Sequence, residues 1–176
     1  MSKILIKDIK KLKGTSIERK INDKLTEFSS FKNKNPDEWF SEACFCILTA
    51  NSKAKTAIKI QNELKADGFC NLSPEHVKNC IIRNKHRFHN NKTRFIIEAR
   101  KHRDIKKIIT NLTKNKDEIE AREWLVKNIK GLGYKESSHF LRNVGYFNFA
   151  ILDRHILNIM KESGIINEIP KPLNKK

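Results

Sequence analysis

The chain has 176 residues, enough for one helical core, and its 37 lysines and arginines against 20 aspartates and glutamates give a net charge of +17 at pH 7. A charge of this size indicates polyanionic partners, with nucleic acid as the first class and an anionic membrane surface as the second. No run of about 18 apolar residues is present to span a bilayer, and the apolar part of the N-terminus is too short for a signal peptide. We therefore expect a cytoplasmic, nucleoid-associated protein with no membrane partner.

The N-terminal stretch MSKILIKDIKKLKG is predicted to form a basic amphipathic helix. Ile4, Ile6, Ile9 and Leu12 make a partial apolar stripe along it. Such a stripe is typical of a helix that packs on the rest of the protein, and we expect that arrangement here. A helix that lies on a membrane surface is the alternative that the same pattern allows.

Capping residues mark the starts and ends of the next helices. Asn35 followed by Pro36 is an N-cap with proline in the first turn, and it opens the apolar run PDEWFSEACFCILTA. The stretch SKAKTAIKIQNELKADG is predicted to be a helix that ends at Gly68. Its apolar positions recur near helical spacing at Ala57, Ile58, Ile60 and Leu64.

Further helices follow in the same manner. Ser73 and Pro74 open PEHVKNCII as a cap and a first-turn proline. The pattern predicts three more helices at 90–100, 104–112 and 117–129, the last with Trp124, Leu125 and Ile129 as buried candidates. Strand-like alternation is sparse, so the chain is predicted to be all-α.

Cysteine and histidine spacing argues against a metal site. The four cysteines fit neither a CxxC pair nor a zinc pattern, and they form no iron–sulfur signature: Cys44, Cys46, Cys70 and Cys80. Buried free thiols in a reducing compartment are the expectation. The six histidines form no HExxH face. We therefore predict that the protein holds no metal.

The turn KGLGY separates the helix at 117–129 from another predicted at 134–143. Gly131 and Gly133 permit positive φ and allow another backbone to approach closely. The second helix begins with unpaired N–H groups and the positive end of its dipole, a cradle for phosphate that needs no charged side chain. Two glycines between helices are explained equally well as a plain turn, so the turn alone does not decide its function.

The wider stretch is more specific. NIKGLGYKESSHFLRNVG resembles the helix-hairpin-helix motif of a DNA glycosylase superfamily, and LDRHI follows it with Asp153 eighteen residues beyond Lys135. The combination is most similar to the archaeal-type 8-oxoguanine DNA glycosylase/lyase branch. The resemblance is strongest over residues 122–165 and extends more weakly back to about residue 36.

This resemblance implies an all-α helix-hairpin-helix DNA glycosylase fold, one unit over residues 1–176 with two small helical lobes and a cleft between them. It places the hairpin at about 119–144 and the loop with the catalytic aspartate at about 145–155. It implies a monomeric base-excision-repair enzyme that binds double-stranded DNA containing a damaged base, excises 8-oxoguanine and cleaves the abasic site by β-elimination. No cofactor is implied, apart from a monovalent cation at the hairpin carbonyls.

Lys135 and Asp153 are the catalytic pair that the resemblance implies, and elementary chemistry supports both roles. A lysine that attacks the sugar must be neutral, and the first turn of a helix disfavours a cation because the dipole is positive there. Loss of the base leaves positive charge on the sugar, which a nearby carboxylate stabilises. An ordinary surface lysine and a plain helix N-cap are the competing explanations of the two residues.

The resemblance assigns further residues to DNA. Asn51, in LTANSKAKTAIK, matches a polar position that fills the gap left by an extruded base, and Phe88, in HRFHNNKTRFI, matches a position that wedges into the opened duplex. His155 matches a phosphate contact. A helix cap, a core phenylalanine and a surface histidine are the respective alternatives. The DNA contacts of the hairpin itself fall on Gly131, Leu132 and Gly133.

Members of this branch continue into a further C-terminal helical segment that ends in a lysine linked to recognition of the oxidised guanine. This chain ends at IPKPLNKK, so the segment is expected to be absent, with Lys176 as the candidate for that role. Three other functions stay open: a glycosylase for another lesion, a non-catalytic hairpin module that anchors a complex to DNA, and a basic RNA-binding protein. The missing iron–sulfur cysteines and the lack of aromatic-rich sheet signatures weigh against the first and the last.

Overall fold

A computed structural model describes residues 2–114 and 118–170, and these residues contain helices and no strand. The described chain forms ten α-helices, numbered α1 to α10 in the order Ser2–Lys11, Ser16–Ser30, Pro36–Thr49, Ala54–Asn71, Pro74–Arg83, His89–Ala99, Ile105–Leu112, Glu118–Asn128, Tyr134–Asn143 and Arg154–Glu162. Short 3-10 turns lie at Phe31–Asn33 and Arg100–His102. The all-α prediction is confirmed.

Helix α3 is the central helix of the core. Its N-terminus is a capping box: the N–H of Glu38 donates to the side chain of Asn35, and the N–H of Asn35 donates to the Glu38 carboxylate at 3.1 Å. Every residue from Trp39 to Thr49 is buried, because other helices surround α3. The predicted start at Pro36 is confirmed.

Helix α4 differs from its prediction in two respects. It continues to Asn71 instead of ending at Gly68, and Lys65 interrupts it with φ +54° and ψ −171°. Gly68 serves packing rather than termination, because a Cβ there would lie 3.1 Å from the Cβ of Leu64. Ile58 is 46% exposed, since it is turned away from the face on which the other three predicted apolar positions are buried.

The prediction that the N-terminal helix packs on the protein is wrong. In α1 and the turn after it, Ile6, Ile9 and Leu12 are exposed, and the side chain of Ile4 lies outside the described residues. Helix α2, which the sequence pattern did not predict, has no buried residue either. Neither helix contributes a described side chain to the buried core.

Helices α8 and α9 form the predicted hairpin. Helix α9 spans the predicted residues, and Leu125 and Ile129 are buried as expected, while Trp124 is partly buried. The predicted start of the first helix at residue 117 lies outside the described residues. The ring of Phe140 packs edge-on against Trp39 with 6.1 Å between centroids, which joins α9 to the central helix.

A buried polar network fixes α9 more firmly. The Glu42 carboxylate of α3 accepts hydrogen bonds from Asn143 Nδ2 at 2.5 Å and from Gln61 Nε2 at 3.1 Å. Burial raises the pKa of the Glu42 carboxyl, while the two amide donors act in the opposite direction. Because a buried polar group is costly unless it is bonded, this network favours one position of α9 relative to α3 and α4.

The four cysteines are free and buried, as predicted. Burial raises the pKa of Cys44 and Cys46 well above the ordinary thiol value, so these thiols are protonated and unreactive. Among residues 2–114 and 118–170 there is no group of three or more His, Cys, Asp or Glu residues that could hold a metal. The same residues contain no helix long and apolar enough to cross a bilayer.

Candidate active site

The turn between α8 and α9 uses its two glycines differently. Gly131 has φ +95°, and a Cβ there would lie 2.7 Å from the ring of Phe95. Gly133 has φ −85° and ψ −173°, an extended backbone that any residue adopts. The expected positive φ is therefore found at Gly131 and not at Gly133. Gly131 is required both by its backbone conformation and by the space around it.

This turn offers backbone groups rather than side chains to a ligand. The side chain of Leu132 is buried, and its N–H donates to the Ile129 carbonyl at 3.1 Å. Gly133 is the N-cap of α9, and no side chain in the described part of the protein caps that helix. The N–H groups of the first turn of α9 therefore point out of the helix end, along with the positive end of the dipole. This is the geometry of an anion-binding helix terminus.

A cavity of about 1150 Å³ opens beside this helix end. One wall is formed by the turn after α3 and the start of α4, and the other by α9 and the start of α10. The cavity is large enough for an extruded nucleotide, since pockets for drug-sized ligands are often smaller. Four of the residues predicted from the sequence line it: Asn51, Lys135, Asp153 and His155.

Lys135 lies in the first turn of α9, where its Nζ is 3.3 Å from Glu136 Oε1. The Glu136 side chain is 14% exposed and the Lys135 side chain 39%, so the carboxylate is the more firmly enclosed partner. Glu136 thus holds the lysine amine at the cavity wall. The sequence analysis missed Glu136, although a carboxylate beside Lys135 in the first turn of a helix is a recognisable signal, because the dipole favours a negative charge there.

Asp153 is a helix cap and also a cavity residue. Its Oδ1 accepts a hydrogen bond from the N–H of Ile156 at 2.9 Å, which makes it the N-cap of α10. It lines the same cavity as Lys135. Oδ2 accepts no hydrogen bond from any residue that the structure describes. The capping bond therefore orients the carboxylate while it leaves one oxygen available to a ligand.

The residue predicted to fill the gap left by the extruded base and the residue predicted to wedge into the opened duplex lie on neighbouring turns. Asn51 has φ +57° and follows α3, and it is Lys53 rather than Asn51 that occupies the N-cap position of α4. Phe88 is 37% exposed, with the Arg87 guanidinium 4.5 Å above its ring, so it is not a core residue. It lies outside the cavity wall, which includes Asn51 and Arg87. Lys176 falls outside the described residues.

Arg122 is a cavity residue that the sequence analysis missed. Its guanidinium lies 4.5 Å from the ring centroid of Phe149 and 5.5 Å from that of Tyr134. Its Nε is buried and donates to no atom of the described residues. A guanidinium next to two aromatic rings in a cavity wall suits an anionic or planar ligand. Nothing in the sequence distinguishes Arg122 from the other arginines of the chain.

Lys92 is buried and His139 is partly buried, and neither belongs to the cavity wall. Burial lowers the pKa of Lys92 to about 8 and the pKa of His139 to about 4. The positive charge of Lys135 acts in the same direction on both groups. His139 is therefore neutral at pH 7, whereas Lys92 still carries a charge for most of the time. The cavity is a positively charged environment for any group that enters it.

The arrangement defines a class of protein. A basic all-α chain presents an anion-binding helix hairpin, and beside that hairpin a cavity contains a lysine, a carboxylate and the turn of Asn51. A hairpin whose helix terminus has anion-binding geometry, next to a cavity large enough for one nucleotide, is typical of a helix-hairpin-helix DNA glycosylase.

Comparison with known proteins identifies the family within this class. The Ogg-HhH family model, described as 8-oxoguanine DNA glycosylase, matches residues 21–176, and the chain belongs to this family. It is 48% identical over 173 residues to an 8-oxoguanine DNA glycosylase/AP lyase of Methanocaldococcus jannaschii, across 98% of this chain and 82% of that relative. A protein of the same description from Korarchaeum cryptofilum is 41% identical, across 97% of this chain and 79% of the relative.

Solved structures agree with this assignment. The M. jannaschii 8-oxoguanine glycosylase/lyase in complex with a 15mer DNA containing 8-oxoguanine has a TM-score of 0.92 at 47% identity, and the match covers 98% of this chain and 81% of that chain. The 8-oxoguanine DNA glycosylase of Thermotoga maritima has a TM-score of 0.88 at 35% identity, with 99% and 81% covered. The predicted helix-hairpin-helix glycosylase fold is confirmed.

Proposed function

We propose that this protein removes 8-oxoguanine from duplex DNA and then cleaves the strand at the abasic site that it creates. The family, and the likeness to an M. jannaschii enzyme crystallised with DNA containing 8-oxoguanine, support the choice of substrate. The observation that carries the chemistry is the presence of Lys135 and Asp153 in the wall of one cavity beside the hairpin. We assign Lys135 as the nucleophile and Asp153 as the carboxylate that stabilises charge on the sugar.

The proposed reaction starts when the damaged nucleotide is extruded into the cavity. The neutral amine of Lys135 forms a bond to C1′ of the sugar while the bond from C1′ to N9 of the base breaks. The base leaves with that electron pair and takes up a proton. Positive charge develops on the sugar during this exchange, and Oδ2 of Asp153 is the oxygen left available to stabilise it.

Strand cleavage follows from the same covalent intermediate. The nitrogen lone pair then forms a double bond to C1′ while the C1′–O4′ bond breaks and O4′ takes up a proton, which gives a protonated Schiff base between C1′ and Nζ of Lys135. Loss of a proton from C2′ to a general base then expels the 3′ phosphate by β-elimination, and water hydrolyses the imine to release the enzyme. These steps need no cofactor. A monovalent cation at the hairpin carbonyls would organise the hairpin without taking part in them.

The remaining residues of the site are assigned to DNA. We assign the first-turn N–H groups of α9 and the backbone of Gly131 and Gly133 to phosphate, and we assign His155, which lines the cavity, to another phosphate along the strand. Asn51 and Phe88 act on the opened duplex, one filling the gap and the other stacking at its edge. We further propose that the protein acts as a monomer on cytoplasmic, nucleoid DNA, to which its charge of +17 attracts it.

Borohydride trapping tests this proposal. The protein is incubated with a duplex containing 8-oxoguanine and, separately, with an abasic duplex, and the imine is reduced to a stable covalent adduct. We expect an adduct on both substrates with the wild type and none with Lys135→Gln. Lys101→Gln is the matched control, since Lys101 is an exposed lysine outside the cavity and its loss should leave trapping unchanged.

Each outcome has a separate meaning. An adduct on the abasic duplex alone would support the lyase chemistry and refute 8-oxoguanine as the substrate, which would favour another lesion. No adduct on either duplex would refute the catalytic role of Lys135 and leave a non-catalytic DNA-binding module. An adduct that survives in Lys135→Gln would place the nucleophile elsewhere.

A further inference from the structure

The C-terminal end of α3 is held by side chains from the end of the α5–α6 connection and the first turn of α6. Four carbonyls at this end each accept a hydrogen bond from one of three basic residues in the segment 86–92. They are the carbonyls of Ile47, Leu48, Ala50 and Asn51. We call these three residues the α3 clamp: His86, Arg87 and Lys92. A helix C-terminus leaves its last carbonyls unpaired, so three donors from one segment are an efficient way to satisfy them.

Lys92 is the centre of the clamp. Only 5% of this residue is exposed, and its Nζ donates to the carbonyl of Ile47 at 2.6 Å and to that of Ala50 at 2.9 Å. The negative end of the α3 dipole favours a cation at this place. A buried lysine is costly unless it is well bonded, and the two hydrogen bonds to these carbonyls offset that cost.

The other two clamp residues connect the same helix end to Phe88. The Phe88 N–H donates to His86 Nδ1 at 3.2 Å, so the proton of the neutral ring is on Nε2, which donates to the Leu48 carbonyl at 3.0 Å. Arg87 donates to the carbonyl of Asn51 at 2.8 Å and stacks over the Phe88 ring. The turn of Asn51 and the exposed ring of Phe88 are therefore joined by hydrogen bonds through one cluster.

We propose that Lys92 is a positioning residue for extrusion of the base, because its two hydrogen bonds hold the turn of Asn51 at a fixed separation from Phe88 so that both can act on the opened duplex together. This inference rests on the proposed function. Extrusion costs a few kcal/mol of stacking and pairing, and a gap-filling side chain repays that cost only if it is already in place when the base leaves. A turn free to move would have to be ordered during the reaction.

The two hydrogen bonds of Lys92 can form in either of its charge states. Burial lowers its pKa to about 8, the nearby Glu136 carboxylate acts in the opposite direction, and the charge of Lys135 adds to the lowering. A neutral lysine amine still has two N–H donors, which is the number that the Ile47 and Ala50 carbonyls require. The clamp therefore persists when the ammonium loses its proton, and its function does not depend on the charge.

The test compares Lys92→Met with two other variants. Lys92→Met keeps the apolar stem and removes both donors. Arg100→Met is the matched structural control, because Arg100 caps the end of α4 in the same way, by donating to the carbonyls of Phe69 and Leu72 at 2.8 and 2.6 Å, away from the cavity. Arg87→Met removes one exposed donor of the clamp and should fold even if Lys92→Met does not.

Three quantities are measured with enzyme in excess, well below the melting temperature of each variant. These are the single-turnover rate of 8-oxoguanine excision from duplex DNA, the rate of borohydride trapping on an abasic duplex, and the fluorescence of a 2-aminopurine placed beside the lesion, which reports base opening. We expect Lys92→Met to slow excision at least about tenfold, equivalent to about 1.4 kcal/mol, and to reduce the fluorescence change. Trapping on abasic DNA, which has no base to extrude, should change less than about threefold.

The outcomes separate positioning from stability. The inference is supported if Arg87→Met changes the ratio of the excision rate to the trapping rate in the same direction as Lys92→Met. It also requires that Arg100→Met leaves this ratio unchanged despite a similar loss of stability. An unchanged ratio in both clamp variants would overturn the inference. So would an equal fall of excision and trapping in Lys92→Met, which would mean that Lys92 acts on the chemistry of Lys135. If the wild type excises nothing, the proposed function fails instead, whatever the variants do.

Discussion

Replacement of Gly131 by alanine is the sharpest test of the hairpin geometry. Gly131 has φ +95°, and its added Cβ would lie 2.7 Å from Cδ2 and 3.3 Å from Cγ of Phe95. The atoms met are those of an aromatic ring packed against the core rather than the free end of a flexible chain. The substitution therefore combines the cost of a left-handed backbone at an L-residue with the cost of a steric clash. Relieving the clash requires the Phe95 ring or the turn to move.

The two costs can be estimated separately. An L-residue in a left-handed conformation costs about 1–2 kcal/mol, and overpacking a filled site adds about 1–3 kcal/mol. Gly131→Ala should thus lower the free energy of unfolding by about 2–5 kcal/mol, a large part of the stability of an ordinary domain. Gly133→Ala is the matched control, since Gly133 has an ordinary φ of −85°. Its Cβ would meet the mobile Oε2 of Glu136 at 3.1 Å, so we expect a loss of about 0.5 kcal/mol.

Urea denaturation of the wild type and the two alanine variants measures these differences directly. Equal losses in the two variants would contradict the assignment of the strained conformation to Gly131. A larger loss for Gly133→Ala than for Gly131→Ala would show that the second glycine, and not the first, is required by the turn. Borohydride trapping adds a second reading, because Gly133→Ala displaces the carboxylate beside Lys135 and should slow trapping without unfolding the protein.

Three further predictions concern charge. Asp153→Asn keeps the N-cap acceptor and should change stability by about 0.5 kcal/mol or less, yet slow single-turnover excision about a hundredfold; an unaffected rate would mean that the carboxylate charge is not used. Affinity for duplex DNA, followed by fluorescence anisotropy, should fall about a thousandfold between about 50 and 200 mM salt, and a flat response would exclude phosphate-dominated binding. The bidentate hydrogen bond from Arg103 holds the pKa of Asp37 below its usual value of 3.8. The wild type should therefore melt at a higher temperature than Asp37→Asn above pH 3.8, and this difference should shrink as the pH falls below 3.8. An advantage that persisted in acid would contradict this origin.

Those parts of the fold that depend on neighbouring residues in the chain were predictable. The Asn35-Pro36 start of α3 and the Ser73-Pro74 start of α5 follow from capping rules that operate within one helical turn. The bounds of α9 follow from the glycine-containing turn before it. In the same way, Asp153 could be predicted as a cap, because a short polar side chain before a helix has a defined local geometry, whereas its place at the cavity was implied by the resemblance to the glycosylase family.

Features that depend on distant residues were not predictable. Whether the apolar stripe of α1 is covered depends on where the distant helices of the core lie, and no local pattern contains that information. Lys92 was missed for a similar reason, since the carbonyls that it binds lie 45 and 42 residues before it in the chain. One signal was present, because Lys92 occurs at helical spacing with the buried Ile96 and Ala99 of α6. A lysine on the buried face of a helix is unusual enough to indicate a specific partner.

The candidate site is built from helix ends, and basic residues contribute to it in two ways: exposed cations attract DNA, and a buried lysine bonds a helix C-terminus. Helix α9 contributes an N-terminus that binds anions without a side chain, and α10 contributes one whose Asp153 cap leaves a carboxylate oxygen unused. Helix α3 contributes a C-terminus, whose unpaired carbonyls require hydrogen-bond donors. The buried amine of Lys92 donates to two of them. The exposed cations attract DNA from solution, whereas Lys92 keeps the turn of Asn51 in place once DNA has arrived. Removing an exposed cation should therefore change the salt dependence of binding, and removing Lys92 should change the rate of base opening with little effect on that salt dependence.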